Sequence, residues 1–158
     1  MKVEQLMTRE VNTCAPADTL ERAACLLWDG DCGCLPVCAD GSNRVVGMIT
    51  DRDICMAAMF AGKPLSALDV AHAMSKQVAV CQADDTLETA EKVMRESRVR
   101  RLPVVDAQGA LVGIVGIADL IREAAHERKI GTRYVSDSSV RDTLAAICAA
   151  GIGKRLAA

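Results

Sequence analysis

Gly47-Met48-Ile49-Thr50-Asp51-Arg52-Asp53-Ile54 is the stretch on which the reading of this chain turns. The apolar run Val45–Ile49 predicts a buried strand, and Thr50-Asp51-Arg52-Asp53 predicts the first turn of a helix. Threonine followed three residues later by an acid is a capping-box pattern, so the strand ends at a helix N-terminus. Unpaired N–H groups and a partial positive charge at such an end suit a phosphate. A carboxylate placed there, Asp53, can accept hydrogen bonds from a ribose diol, as in dinucleotide sites. Read alone, the stretch is a capped helix after a buried strand.

Outward from this stretch the chain repeats itself. Asp18-Thr19-Leu20-Glu21 recurs as Asp85-Thr86-Leu87-Glu88, and Leu35-Pro36-Val37 recurs as Leu102-Pro103-Val104, both at an offset of 67 residues. Val46-Gly47-Met48-Ile49 returns as Val112-Gly113-Ile114-Val115, and Asp53 as Asp119, at an offset of 66. One register with a single slip from end to end marks a tandem duplication.

Each copy has the same predicted order. A short helix or turn (Val3–Met7; Ala67–Met74) leads to an extended segment (Val11–Cys14; Val78–Cys81). A helix follows, starting at an acidic cap before Thr-Leu-Glu, with Leu20, Ala23, Ala24 and Leu27 of the first copy on one face. In the second copy Leu87, Ala90 and Met94 take similar places, and Gly30 and Gly33 stop the first helix. A strand ending in Pro-Val (Cys34–Cys38; Leu102–Val105), a turn (residues 40–43; 106–109), a second strand and a last helix (Asp51–Phe60; Ala118–Lys129) complete the unit. Two strands and two helices cannot bury a core alone, whereas two copies can. The expected fold is α+β, a pseudo-twofold pair of repeats with small sheets flanked by helices. The repeats are placed at residues 1–62 and 63–129, with Gly62-Lys63-Pro64 in the connector and an extension over 130–158. In the extension, Asp137-Ser138-Ser139 caps a helix with Val140, Leu144 and Ile147 on one face, and the last residues, Gly151–Ala158, fray.

Composition narrows the function. The chain has 158 residues, 51% of them hydrophobic but only 2% aromatic, so its core is aliphatic and few rings can stack on a ligand. A net charge of −2 gives no general attraction to nucleic acid or to an anionic membrane. No apolar segment reaches membrane-spanning length and the N-terminus lacks a signal-peptide core, so a soluble, cytoplasmic protein is expected.

The paired Met-Thr or Met-Ser (Met7-Thr8; Met74-Ser75), Asp-Thr-Leu, Leu-Pro-Val and Val-Gly-x-x motifs, each set ending in a helix-start aspartate, resemble the cystathionine-β-synthase (CBS) domain. Two copies in one chain resemble the CBS pair, or Bateman module, in its small stand-alone bacterial form, the hypoxic response protein type. The resemblance covers about residues 1–128. It implies a regulatory module that binds an adenosyl ligand (ATP, ADP, AMP or S-adenosylmethionine) in clefts between the repeats, requires no cofactor, and signals by changing its shape or partners. It further implies a homodimer and an unidentified protein partner in trans.

Carried over residue by residue, the Gly-x-x-Thr-x-x-Asp motif of the family is complete at Gly47, Thr50 and Asp53, with Thr50 near ribose or phosphate and Asp53 on ribose. The second copy reads Gly113, Gly116, Asp119 and lacks the hydroxyl. Basic residues run the other way. Arg100 and Arg101 precede Leu102-Pro103, where the family places phosphate-binding residues, while the first copy has Gly33 and Cys34 there. Forked, charge-assisted bonds from arginine to phosphate are stronger than a hydroxyl supplies. A charged nucleotide is therefore expected near Arg100, Arg101, Pro103 and Asp119, and a neutral-tailed adenosyl group near Gly47, Thr50 and Asp53, with Arg52 able to add charge. The competing reading makes Arg98, Arg100 and Arg101 a solvated run balancing Glu91 and Glu96.

Eight cysteines open rival chemistry. Cys32, Cys34 and Cys38 form a C-x-C-x3-C cluster, but with only His72 and His126 beside them no metal site is assigned. Cys14 and Cys38 fall at neighbouring positions of the resembled fold, which admits a disulfide and an alternative function as a redox-responsive or structural interaction module with degenerate clefts. No catalytic residues are assigned, since no Ser/His/acid set or P-loop is present.

Overall fold

The computed structural model describes residues 1–39, 41–130 and 135–149, with 128–130 described through the backbone alone. Asp40 of the first turn, and the expected fraying of Gly151–Ala158, lie outside the described residues. The architecture is the expected mixture of helices and small sheets, and no helix among the described residues is long and apolar enough to cross a membrane.

Two compact units are present. One comprises Glu10–Val78 with Gly109–Leu111, the other Met1–Arg9, Ala79–Gln108 and the chain from Val112 onward. The sequence repeats and the compact units are therefore cut differently, because each repeat's opening segment lies on the body of the other copy.

In the unit built on the first copy, β1 (Cys34–Cys38) pairs antiparallel with β2 (Val45–Thr50), Leu35 opposite Ile49 and Pro36 opposite Met48. Cys14 adds a single parallel bridge to Val37, and the Cys38 N–H donates to the Cys14 carbonyl at 2.9 Å. The other unit carries the matched arrangement, β3 (Cys81–Gln82) parallel to β4 (Arg101–Val105), which neighbours β5 (Leu111–Gly116). Both turns between hairpin strands hold a glycine at positive φ, Gly41 at 69° and Gly109 at 81°, where a side chain would be strained.

The helices start where the sequence placed them, with one correction. Thr19 and Thr86, not Asp18 and Asp85, are the N-caps of α1 (Leu20–Asp29) and α4 (Leu87–Ser97), their hydroxyls accepting from the N–H groups of Arg22 and Thr89. The aspartates instead close the preceding turn, accepting from Ala15 N–H at 2.8 Å and Gln82 N–H at 2.7 Å. Two adjacent residues can each satisfy backbone donors, and the extended backbone at threonine (φ −72° and −75°) aims its hydroxyl into the first turn.

The opening segments dock in the same way in both units. Val3 N–H donates to Asp85 O at 2.9 Å and Val70 N–H to Asp18 O at 2.8 Å; both valines are fully buried. Val3 starts a 3-10 turn (Val3–Gln5), and Val70 starts α3 (Val70–Ala73). Thr8 bridges Ile114 and Ser75 bridges Met48. Over these bridges a methionine crosses a glycine. A Cβ on Gly113 would sit 2.7 Å from Met7 Sδ and 2.9 Å from Thr8 O; on Gly47 it would sit 2.6 Å from Met74 Sδ and 3.1 Å from Ser75 O. Flexible thioethers fill such irregular gaps.

Helices α2 (Asp51–Ala61) and α5 (Ile117–Ile130) follow β2 and β5, and Gly62 ends α2 in the left-handed region at φ 59°. Helix α6 (Asp137–Ala149) packs on α4 and α5 through Val140 and Ile147, the expected face. A polar set joins them. Arg95 Nη1 donates to Thr143 Oγ1 at 2.9 Å and lies 3.6 Å from Glu91 Oε2, to which the Ser139 hydroxyl also donates. Burial pushes the Glu91 carboxyl up from the usual glutamate range, opposed by Ser139 and Arg95.

Two outcomes follow from this packing. Gly113→Ala forces Thr8 backbone to move, so urea unfolding should show a loss of about 1–3 kcal/mol. Amide exchange should then accelerate over Met1–Arg9 while Glu10–Val78 keeps its protection; unchanged exchange over Met1–Arg9 contradicts the docking role. Because the folded state holds the Glu91 proton more tightly than the unfolded chain, stability should fall as pH rises from about 4.3 through the raised Glu91 value. Glu91→Gln keeps an acceptor for Ser139 and should flatten that fall; an identical pH slope in both proteins contradicts it.

Candidate functional site

In the first-copy unit the strand–helix junction after β2 forms a closed capping box. Thr50 has extended backbone (φ −120°), its hydroxyl accepts from Asp53 N–H at 3.1 Å, and Asp53 Oδ2 accepts from both Thr50 N–H (2.9 Å) and Thr50 Oγ1 (2.7 Å). Two donors on one oxygen hold the half-buried carboxylate rigidly, and Asp53 Oδ1 has no partner among the described residues. The junction thus presents one oriented carboxylate oxygen at the positive end of α2. Arg52 is exposed on the same turn, its N–H donating to Asp51.

The matched junction after β5 is built from different parts. Asp119 Oδ2 accepts from Gly116 N–H at 2.7 Å, replacing the threonine cap with a backbone donor. Its other oxygen, Oδ1, pairs with the Arg122 guanidinium. Ile117 N–H donates to Arg100 O at 2.9 Å, which ties the first residues of β4 to the start of α5. A Cβ on Gly116 would lie 3.2 Å from Arg101 Cγ and 3.4 Å from Arg100 O. The missing hydroxyl and the added arginine adjoin, because the Arg101 stem lies beside the space that a side chain at 116 would enter. Arg100 and Arg101 are exposed, and where Arg101 stands the first copy has the buried Cys34.

Of the residues the sequence singled out, the structure brings together Thr50 with Asp53, and Arg100, Arg101 and Asp119 with Gly116. Gly47 and Pro103 sit elsewhere: Gly47 lies under Met74, and Pro103 is buried in β4. Arg122 was missed. The signal available was its position three residues after Asp119 on one helix, a spacing that brings side chains together; the first copy has Met56 there.

The cysteines form no centre. No disulfide joins any of the eight, and no group of three or more metal-ligating residues converges among the described residues. Cys14 and Cys38 lie on adjacent backbone segments, as expected for neighbours. Burial, with Asp18 next, pushes the Cys14 thiol up to about 12, and burial also raises Cys38. Thiols held protonated are poor nucleophiles.

Comparison with known proteins fits this arrangement. The sequence pattern of the CBS domain matches residues 3–59 and again 69–126. The CBS domain-containing protein YhcV of Bacillus subtilis is 36% identical over 118 residues, covering 75% of this chain and 81% of YhcV. Hypoxic response protein 1 of Mycobacterium tuberculosis is 33% identical over 117 residues, 74% of this chain and 80% of that protein. The crystal structure of CBSX2 in complex with AMP superposes with a TM-score of 0.68 at 27% identity, over 80% of this chain and 98% of CBSX2. With both matched segments spanning most of its length, the chain belongs to the CBS domain family, which it carries as a tandem pair.

Proposed function

We propose that this chain is a regulatory module that binds an adenosyl ligand at its two strand–helix junctions and signals through a change of shape or partner. The observation that carries the proposal is the oriented, half-free carboxylate of Asp53 at a helix N-terminus, an arrangement suited to a ribose diol. The AMP complex of CBSX2 supports the ligand class. The junctions differ in what they offer the rest of the ligand. Arg100 and Arg101 suit a phosphate beside Asp119, whereas the hydroxyl of Thr50 suits an uncharged or weakly held tail beside Asp53. Arg122 would have to leave Asp119 Oδ1 before a ribose could take its place. No catalytic step is assigned, and the output passes through another protein.

Titration calorimetry and thermal shift test this reading. AMP should raise the melting temperature by mass action, with a stabilisation of about 2.7 kcal/mol at a hundredfold excess over Kd. Arg101→Ala should weaken AMP roughly 10- to 100-fold, the worth of hydrogen bonds to a charged group, and leave adenosine unchanged. Asp53→Asn, which can still accept from Thr50, should weaken adenosine without lowering the melting temperature of the free protein. If ATP, ADP, AMP and S-adenosylmethionine all leave the melting temperature unmoved at millimolar concentration, the binding reading is wrong.

A further inference from the structure

The turn after the first long helix carries opposite charge in the two copies. Asp31 and Arg98 share one place in the repeat register, at the offset of 67, and both have left-handed backbone, with φ 45° and 56°. Few residues other than glycine adopt that conformation, so the fold fixes the turn and the side chain alone changes. In the same register Trp28 stands where the second copy has Arg95, and Gly33 where it has Arg100. At the offset of 66, Asp51 stands where the second copy has Ile117. The second copy is thus rich in guanidinium groups at these positions, whereas the first carries two carboxylates and an indole.

These first-copy residues line one cavity. It measures about 390 Å³ and is lined by apolar Ala24, Leu27 and Ile54 together with Trp28, Asp31 and Asp51. Trp28 is 87% exposed, which leaves its ring open to a ligand. No lysine, arginine or histidine lines the cavity, and neither aspartate is in an ion pair among the described residues. Asp51 Oδ1 accepts only the neutral backbone N–H of Arg52, at 2.7 Å. The cavity therefore holds two negative charges that no lining side chain offsets.

The lining selects the ligand. An anion would meet only like charge. A bare metal ion is not suited either, since no three metal-ligating groups converge among the described residues. An organic cation uses every part of the lining. Its N–H groups donate to the carboxylates, its charge lies against an indole, and its alkyl stem covers Leu27 and Ile54. The positive end of α2 opposes a cation at Asp51, and the second carboxylate and the ring offset that. A volume of this size holds a whole small molecule. We propose that the cavity binds a small aliphatic ammonium ion, held by Asp31 and Asp51 with Trp28 against it. The site shares no residue with the strand–helix junctions and does not rest on the adenosyl reading.

Trp28 is the sole tryptophan, so its emission reports the cavity directly. Pentylamine, charged at neutral pH, should change that emission saturably and titrate one site per chain by calorimetry. Pentanol, of the same length and uncharged, should do neither. Asp31→Asn and Asp51→Asn should each weaken pentylamine about tenfold, as expected for losing a hydrogen bond to a charged group. Asparagine tolerates the left-handed backbone at 31 and can still accept from Arg52 N–H at 51, so both variants should keep the melting temperature. Trp28→Leu, followed by calorimetry, should weaken pentylamine roughly two- to fivefold. No saturable response at millimolar pentylamine, an equal response to pentanol, or an unchanged affinity in either aspartate variant overturns the site. Tighter binding of Nα-acetyl-lysinamide than of pentylamine overturns the small-ligand assignment and makes the cavity a seat for a lysine of another protein.

Discussion

A methionine side chain lying across a glycine is the contact on which both units rest. Met7 covers Gly113 and Met74 covers Gly47, each within the distance at which any Cβ would collide with sulfur and with the carbonyl behind it. The same contact brings in a strand bridge, a fully buried valine and the hydrogen bond that starts the helix cap of the unit. Since the methionine comes from the opening segment of one copy and the glycine from the body of the other, neither copy closes its own core. Duplication is thereby built into the packing, as expected where two strands and two helices are too few to stand alone.

Local rules account for what could be read in advance. The Thr50–Asp53 capping box needs only four adjacent residues, and it forms as its spacing predicts. The α6 face at Val140 and Ile147 follows from helical periodicity. The misread cap at Asp18 and Asp85 is also local, because aspartate and threonine compete for the same orphan donors and only backbone geometry separates them. Features joining distant segments were beyond reach. The periodicity of Val3–Met7 is the same whichever copy it docks on, so the exchange leaves no mark on the pattern. Buried Glu91 and Thr143, with half-buried Arg95 and Ser139, join segments 44 to 48 residues apart, whereas from the sequence Glu91 reads as part of a solvated charge run and Ser139 as part of a helix cap.

The two junctions show how one scaffold yields unlike sites. Both fix an aspartate by a backbone N–H from the residue three before it, Thr50 or Gly116, and both set it at a helix N-terminus. One exchange then separates them: a hydroxyl at position 50 with a buried cysteine at 34, against a bare glycine at 116 with an arginine at 101. A side chain at 116 would press on the arginine stem, which would have to give by a few tenths of an ångström. The Asp53 junction thus carries a hydroxyl donor, whereas the Gly116 junction lies against the Arg101 stem and the Arg100 carbonyl. Arg122 adds a second difference, because it already occupies the carboxylate that Asp53 leaves half free.

The proposed function makes the junctions unequal in ligand charge. It is tested most directly by amide chemical shifts of the labelled protein titrated in parallel with AMP and with adenosine. AMP should move the amides of Arg100, Arg101 and Gly116–Asp119 first and most, and adenosine those of Thr50–Asp53. Equal shifts at both junctions with either ligand would contradict the account.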